Sequence, residues 1–183
     1  MNEKLLIDEC LLNLKVAQRK LFDSYYDFVF KKVYSYLSNA HDTEDIVLQV
    51  FNKIFQNLPA FEWRGEGSLK KWISTIAINQ CLSFLKQRKP ILHFSDSAEM
   101  EELLSEENVS EIDDISADQI MVIIEKMPSG YKTIFLMNVV DEYTHSEIAE
   151  ILNISRNTSK SQLLKAKKYI LNELNKMKSC KIN

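Results

Sequence analysis

Apolar residues recur every three or four positions along most of this chain, which is the spacing of an α-helical face. One series in the first half runs through Leu21, Tyr25, Val29, Val33 and Tyr36, and the next runs through Ile46, Val47, Val50, Phe51, Ile54, Phe55 and Leu58. The first series predicts a helix over roughly residues 17–37. The second predicts a helix that starts at a cap on Asp42 or Thr43 and ends at Pro59. Two more helices are predicted, over roughly residues 3–14 and from a Ser68 cap through residue 89.

Residues 144–168 predict two short helices around a tight break. Thr144 and Glu147 have the spacing of a capping box, in which two side chains bond to free amides at a helix start. Asn153 interrupts the apolar pattern, and asparagine tolerates the left-handed conformation that ends many helices. Ser155 is a natural N-cap for the second helix, which has an inward stripe of Ser159, Leu163, Ala166 and Ile170. The pattern is that of a helix-turn-helix, although an ordinary helical hairpin with a solvated face has similar local signals.

The remaining residues at the start of that second helix are expected to point outward. They are Arg156, Asn157, Thr158, Lys160, Ser161, Gln162 and Lys165. Their donors, acceptors and positive charges match base edges and phosphates in a major groove. Lys160 and Lys165 are expected to hold phosphate, and the other five are expected to read bases.

Composition agrees with an all-α protein, because the chain has only three glycines and three prolines and is 45% hydrophobic. It has no apolar run long enough to cross a bilayer and no signal peptide at its start, so we expect no membrane insertion and a cytoplasmic location. The three cysteines are too scattered for a zinc site. We expect no metal and no cofactor.

The net charge of -3 is unevenly distributed. Residues 1–90 carry 13 Lys or Arg against 10 Asp or Glu, and residues 119–183 carry 10 against 6. Between them, residues 91–118 carry 10 acids and no Lys or Arg, a net charge of -10. Such a block is typical of a solvated connection. The sequence therefore predicts two small helical domains, residues 1–90 and 119–183, joined by an acidic linker over residues 91–118.

Two features of the first domain suggest binding surfaces. The segment "FEWRGEGSLKKW" places aromatic and basic residues beside two glycines, a combination that suits stacking on unpaired bases. For Phe61 or Trp63 alone, closure of the core is an equally good interpretation. On the third helix, Asp45, Leu48, Gln49 and Asn52 lie opposite the apolar stripe, which leaves Leu48 exposed.

Three motifs in order, "DTEDIVLQVFNKIF", "GSLKKWISTIAINQCLSFLKQRK" and residues 127–168, together resemble a bacterial RNA polymerase sigma factor of the extracytoplasmic-function (ECF) type. The resemblance implies a promoter-specificity subunit without catalytic residues. Its partners would be promoter DNA and core RNA polymerase, through the clamp helices of the largest subunit and the flap region, with an anti-sigma factor as a further partner.

By position, the resemblance assigns three sites. Polymerase docking falls on Asp45, Leu48, Gln49 and Asn52. Recognition of the minus-ten element falls on Phe61, Trp63, Arg64, Lys70, Trp72 and Asn79, with Asn79 facing a captured base. Recognition of the minus-thirty-five element falls on the outward residues between Arg156 and Lys165.

The chain departs from the family pattern at three places. Leu48 and Gln49 stand where members usually have glutamine and an acid, Asn153 replaces the usual turn glycine, and Arg156 and Asn157 replace an acid and a glycine. The resemblance therefore carries the fold and no particular promoter sequence.

Two other classes of protein remain as alternatives. A free-standing dimeric helix-turn-helix regulator would account for residues 119–183 but would leave the aromatic segment without a use on closed duplex. An enzyme is disfavoured because His41, His93 and His145 lie far apart, with no nucleophile or metal-ligand spacing around them.

Overall fold

A computed structural model describes residues 3–88 and 117–179, and every regular element in those ranges is helical. This confirms the predicted all-α class. The chain divides into two compact units, Met1–Pro90 and Ile91–Asn183. Residues 91–116, most of the predicted acidic linker, lie outside the described ranges.

The front unit contains four α-helices. These are α1 (Glu3–Leu11), α2 (Lys15–Leu37), α3 (Ala40–Asn57) and α4 (Ser68–Arg88), with a 3-10 turn at Leu58–Ala60. Helices α2, α3 and α4 pack against one another in pairs, and α1 packs on α2. All five residues of the predicted α2 stripe are buried, and so is the α3 stripe except for the half-buried Phe55. The free cysteines Cys10 and Cys81 are also buried.

The predicted boundaries need three corrections in this unit. Helix α1 ends at Leu11 and not at residue 14. Helix α3 begins at Ala40, because the Asn39 side chain accepts a hydrogen bond from the Asp42 amide at 3.0 Å and forms the cap. The Ser68 hydroxyl does not cap α4 and instead bonds to the preceding loop, donating to the Gly65 carbonyl oxygen at 2.6 Å.

The rear unit contains α5 (Ala117–Lys126), α6 (Ser129–Phe135), α7 (His145–Leu152) and α8 (Arg156–Ser179), with a π-helical turn at Leu136–Val140 after α6. Helices α5, α6 and α7 all contact α8. The expectation of two short helices is therefore wrong for the second, since α8 has 24 residues. Helix α5 begins inside the residues predicted as linker. No helix within the described ranges is long and apolar enough to span a membrane.

Candidate nucleic-acid and polymerase interfaces

The helix-turn-helix is built by the caps that the sequence predicts. The Thr144 hydroxyl accepts from the Glu147 amide, while the Glu147 carboxylate accepts from the Thr144 amide at 2.8 Å, which completes the capping box. Asn153 ends α7 in the left-handed region at a φ of 56°. Ser155 Oγ then accepts from the Thr158 amide at 2.9 Å and caps α8. These bonds fix where the first turn of α8 begins and which side chains it exposes.

The first turns of α8 expose only part of the predicted DNA-reading set. Arg156, Asn157 and Lys160 are exposed, and Ser161 and Lys165 are half-buried. Thr158 and Gln162 are buried, with exposed fractions of 5% and 0%. Their predicted outward position is therefore wrong. Thr158 is turned back toward the cap, where its hydroxyl lies 2.7 Å from Ser155 Oγ.

Helical spacing explains why Gln162 is buried. It lies three residues after Ser159 and four before Ala166, and both of those residues are completely buried. Residues with this spacing share one face of a helix. Within the described residues, neither polar atom of the Gln162 amide has a hydrogen-bond partner. The same periodicity that predicts the inward stripe could have placed Gln162 in it, but its polar side chain suggested the opposite.

Positive charge extends along the exposed side of α8. Arg156, Lys160 and Lys167 are exposed at positions i, i+4 and i+11, which is close to three full turns of one helix face. Lys167 is not among the residues predicted from the sequence, although its spacing from Arg156 and Lys160 places it on the same helix face. A stripe of this kind suits a DNA backbone.

His145, the first residue of α7, lies against this stripe. Its Nδ1 is 2.9 Å from the Ser159 hydroxyl oxygen of α8. Burial lowers the pKa of His145, and the positive charges of Lys160, Arg156 and Lys167 lower it further. The three cations therefore lie near one another at the junction of α7 and α8. The hydrogen bond between His145 and Ser159 links the two helices at this junction.

The loop between the 3-10 turn and α4 presents two aromatic residues in different settings. Phe61 is half-buried, and its ring centroid lies 4.9 Å from that of Trp72 at an interplanar angle of 45°. Trp63 is 41% exposed. Phe61 thus helps to close the domain, whereas Trp63 offers a ring face to a ligand.

The polar residues predicted around this loop are accessible. Arg64, Lys70 and Asn79 are all exposed. Arg64 forms an exposed ion pair with Glu62 at 2.9 Å, and the Lys70 ammonium lies 4.8 Å from the centroid of the Phe28 ring. Such exposed contacts are weak and can be exchanged for phosphate or base contacts.

The predicted docking residues form one exposed side of α3. Asp45, Leu48, Gln49 and Asn52 are all exposed at positions i, i+3, i+4 and i+7. Leu48 has an exposed fraction of 61%. An apolar side chain with polar neighbours on both sides has the layout of an interface, with an apolar centre and a polar rim.

Two family models match the chain, the sigma-70 region 2 model over residues 21–91 and the sigma-70 region 4 model over residues 117–170. The chain is 25% identical over 164 residues to the ECF RNA polymerase sigma factor SigW of Bacillus subtilis, covering 84% of this chain and 87% of SigW. It is 28% identical over 147 residues to the RNA polymerase sigma factor SigV of the same organism, covering 80% and 84%.

A solved structure of the sigma factor RpoE of Bartonella quintana, in complex with the anti-sigma factor NepR, has the same fold. The TM-score is 0.52 at 16% sequence identity, over 86% of this chain and 96% of the solved one.

The chain belongs to the sigma-70 family of RNA polymerase sigma factors, within the ECF group. Its function is that of a promoter-specificity subunit of RNA polymerase.

Proposed function

We propose that the two units divide promoter recognition between them. The rear unit reads the minus-thirty-five element through the exposed start of α8, with Arg156, Asn157 and Ser161 at base edges and Lys160, Lys165 and Lys167 at phosphates. The front unit captures an unpaired base of the minus-ten element at the loop that contains Trp63 and Arg64. The single observation that carries this proposal is that one chain combines a fully capped helix-turn-helix with an exposed aromatic residue on a glycine loop.

Thr158 and Gln162 do not belong to this DNA-reading set. A side chain can hydrogen-bond to a base edge only if it reaches the groove, and both of these side chains are buried in the rear unit. They support the shape of the helix-turn-helix instead.

We assign docking on the core polymerase to the exposed side of α3, centred on Leu48, with the clamp helices of the largest subunit as its partner. What supports the assignment is the combination of an exposed apolar side chain with exposed polar neighbours on the same side of α3, because an interface has an apolar centre and a polar rim. The chain would work in the cytoplasm, where its polymerase and DNA are, and would act without chemistry of its own.

An anti-sigma factor is a further proposed partner. The Bartonella relative is in complex with one, and the shared fold supports extending that class of partner to this chain. On the exposed side of α3, such a protein would compete with polymerase, and at the exposed start of α8 it would compete with DNA.

The deciding experiment is a gel shift on a promoter library with and without core RNA polymerase. We expect sequence-specific retention and permanganate-reactive thymines at the minus-ten element only when core polymerase is present. Tight binding of the chain alone to palindromic sites, as a dimer and without opening, would instead identify a free-standing regulator.

A further inference from the structure

We propose that Glu3 is a positioning residue that holds the base-capture loop in shape, and this inference builds on the role proposed above for that loop. The loop, residues 61–67, contains two glycines with positive φ, Gly65 at 108° and Gly67 at 83°. Neither glycine would meet another atom within 4 Å if it carried a Cβ. The loop therefore has space around it and a backbone that needs contacts from elsewhere to stay in one conformation.

The Glu3 carboxylate, at the start of α1, supplies such a contact. Its Oε2 accepts a hydrogen bond from the Gly67 backbone amide at 3.0 Å, and its Oε1 accepts one from the Tyr25 hydroxyl at 3.0 Å. One side chain of α1 thus joins the loop to the core helix α2, across 64 residues of sequence.

Tyr25 is a firm anchor for this arrangement. It is a buried residue with an exposed fraction of 8%, so its hydroxyl holds the carboxylate from a fixed position. Burial raises the pKa of Tyr25, and the hydrogen bond to Glu3 raises it further, which keeps the hydroxyl protonated as a donor. The bond to Tyr25 therefore fixes the orientation in which the Glu3 carboxylate accepts from Gly67.

The neighbouring residue adds a second link to the same loop. The Lys4 ammonium lies 5.7 Å from the centroid of the Trp63 ring, within the range of a cation–π contact. The Ser68 hydroxyl accepts from the Arg64 amide at 3.2 Å and closes the loop from its other end. Helix α1 therefore contacts both the backbone turn at Gly67 and the aromatic residue proposed to stack on a base.

This arrangement affects how easily the loop binds an unpaired base. A loop that is ordered before binding loses less conformational entropy when it captures a ligand, so preorganisation strengthens capture without adding a contact to DNA. The step that depends on capture is promoter opening, whereas binding to closed duplex does not use it. Loss of Glu3 should therefore slow opening and leave closed-complex affinity unchanged.

The first test measures the contact in the free protein. The chain has three glycines, so selective labelling with ¹⁵N-glycine gives one amide signal each for Gly65, Gly67 and Gly130. In E3A, we expect the Gly67 amide to exchange with solvent about threefold to tenfold faster, which corresponds to one lost hydrogen bond. Gly130, in the rear unit, serves as the internal reference. Y25F should cause a smaller acceleration because only the anchor is lost.

The second test measures opening by the polymerase complex that contains the same variants. We expect E3A to reduce the rate of permanganate-detected opening about threefold to tenfold, with closed-complex affinity unchanged and partial recovery in E3Q, which keeps an acceptor oxygen. The matched control is D8A, which removes an exposed acid from the same helix.

Unchanged Gly67 exchange in E3A would overturn the contact, and faster exchange with normal opening would overturn its role in capture. A failure of the wild-type chain to open any promoter with core polymerase would contradict the proposed function, and the exchange measurement on the free chain would still stand.

Discussion

At the start of α8, one step along the helix decides whether a polar side chain meets solvent or the core. Lys160 and Ser161 reach the surface to different degrees, whereas the next residue, Gln162, is completely buried. Residue type alone would place all three on the DNA side. Their burial distinguishes them. The position of a residue on the helix, and not its polarity, determines whether its side chain can reach the groove.

Replacing Gln162 should therefore change stability and not promoter choice. Burying an amide without partners costs about 1–3 kcal/mol, so Q162L, which keeps similar volume, should raise the free energy of unfolding by about 1 kcal/mol. Q162A should lower it by leaving a cavity. Calorimetric unfolding of the full chain measures both effects. A changed minus-thirty-five preference in Q162L would return this residue to the DNA-reading set, and R156A is the positive control that should alter that preference.

The position of His145 beside the cations of α8 predicts a pH dependence of stability. Burial and neighbouring cations lower the pKa of His145 below its ordinary value of 6.5. The unfolded chain then binds a proton more readily than the folded chain, so the contribution of this residue is complete above pH 6.5 and is lost as pH falls below it. We expect H145Q to show a smaller drop in melting temperature between about pH 7.5 and pH 5.5 than the wild type.

The control for this experiment is H41Q, which removes an exposed imidazole at the start of α3. It leaves His145 and the neighbouring cations of α8 unchanged. If H145Q and H41Q change the profile equally, the surroundings of His145 are not the source of the dependence.

At the scale of single helices, periodicity was a good guide to which faces are buried and a poor guide to where helices begin. The buried stripes of α2 and α3 follow directly from apolar spacing. The predicted start of α3 is too late because Ala40 and His41 are exposed and precede the apolar stripe, and the cap is the residue before them, Asn39. The contact of Glu3 with Gly67 joins distant parts of the chain, and no local pattern indicates it.

The exposed side of α3 leads to a prediction about docking. Apolar residues at the centre of an interface often carry most of its binding energy, so L48K should weaken binding to core polymerase by about tenfold or more. The helical circular-dichroism signal should not change, because Leu48 is outside the core. Val16 on α2, with an exposed fraction of 82%, provides the matched control V16K. Equal effects of the two variants, or none from L48K, would contradict docking at this side of α3.

The aromatic loop leads to a prediction that separates binding from folding. Stacking of a base on an aromatic ring contributes about 1–3 kcal/mol, so W63A should reduce promoter opening by about tenfold while the domain stays equally stable. F61A should reduce both opening and thermal stability, because Phe61 also packs against Trp72. Permanganate footprinting and melting curves distinguish the two results. The control E62A removes only the exposed ion pair of Glu62 with Arg64. A loss of opening in E62A as large as that in W63A would argue against stacking.

At the scale of the whole molecule, the uneven distribution of charge along the chain affects how strongly the protein binds DNA without polymerase. The rear domain is small and carries only four more basic than acidic residues, 10 against 6 over residues 119–183. We expect such a domain to bind DNA weakly by itself and to rely on attachment to polymerase, which raises its effective concentration at the promoter. We expect the acidic residues between the two domains to add to this dependence on polymerase.

Residues 91–118, with a net charge of -10, should lower the affinity of the free chain for DNA, because a tethered block of negative charge repels the phosphate backbone. Replacing its Asp and Glu by Asn and Gln should therefore raise polymerase-independent DNA binding, and added salt should reduce the difference between the two proteins. Fluorescence anisotropy with promoter duplex at low and moderate salt measures this. A variant with the same linker residues in shuffled order keeps the charge and should bind DNA as weakly as the wild type. If neutralisation leaves the affinity unchanged at low salt, the linker charge does not reduce binding of the free protein to DNA. Weak binding by the rear domain alone must then account for the need for polymerase.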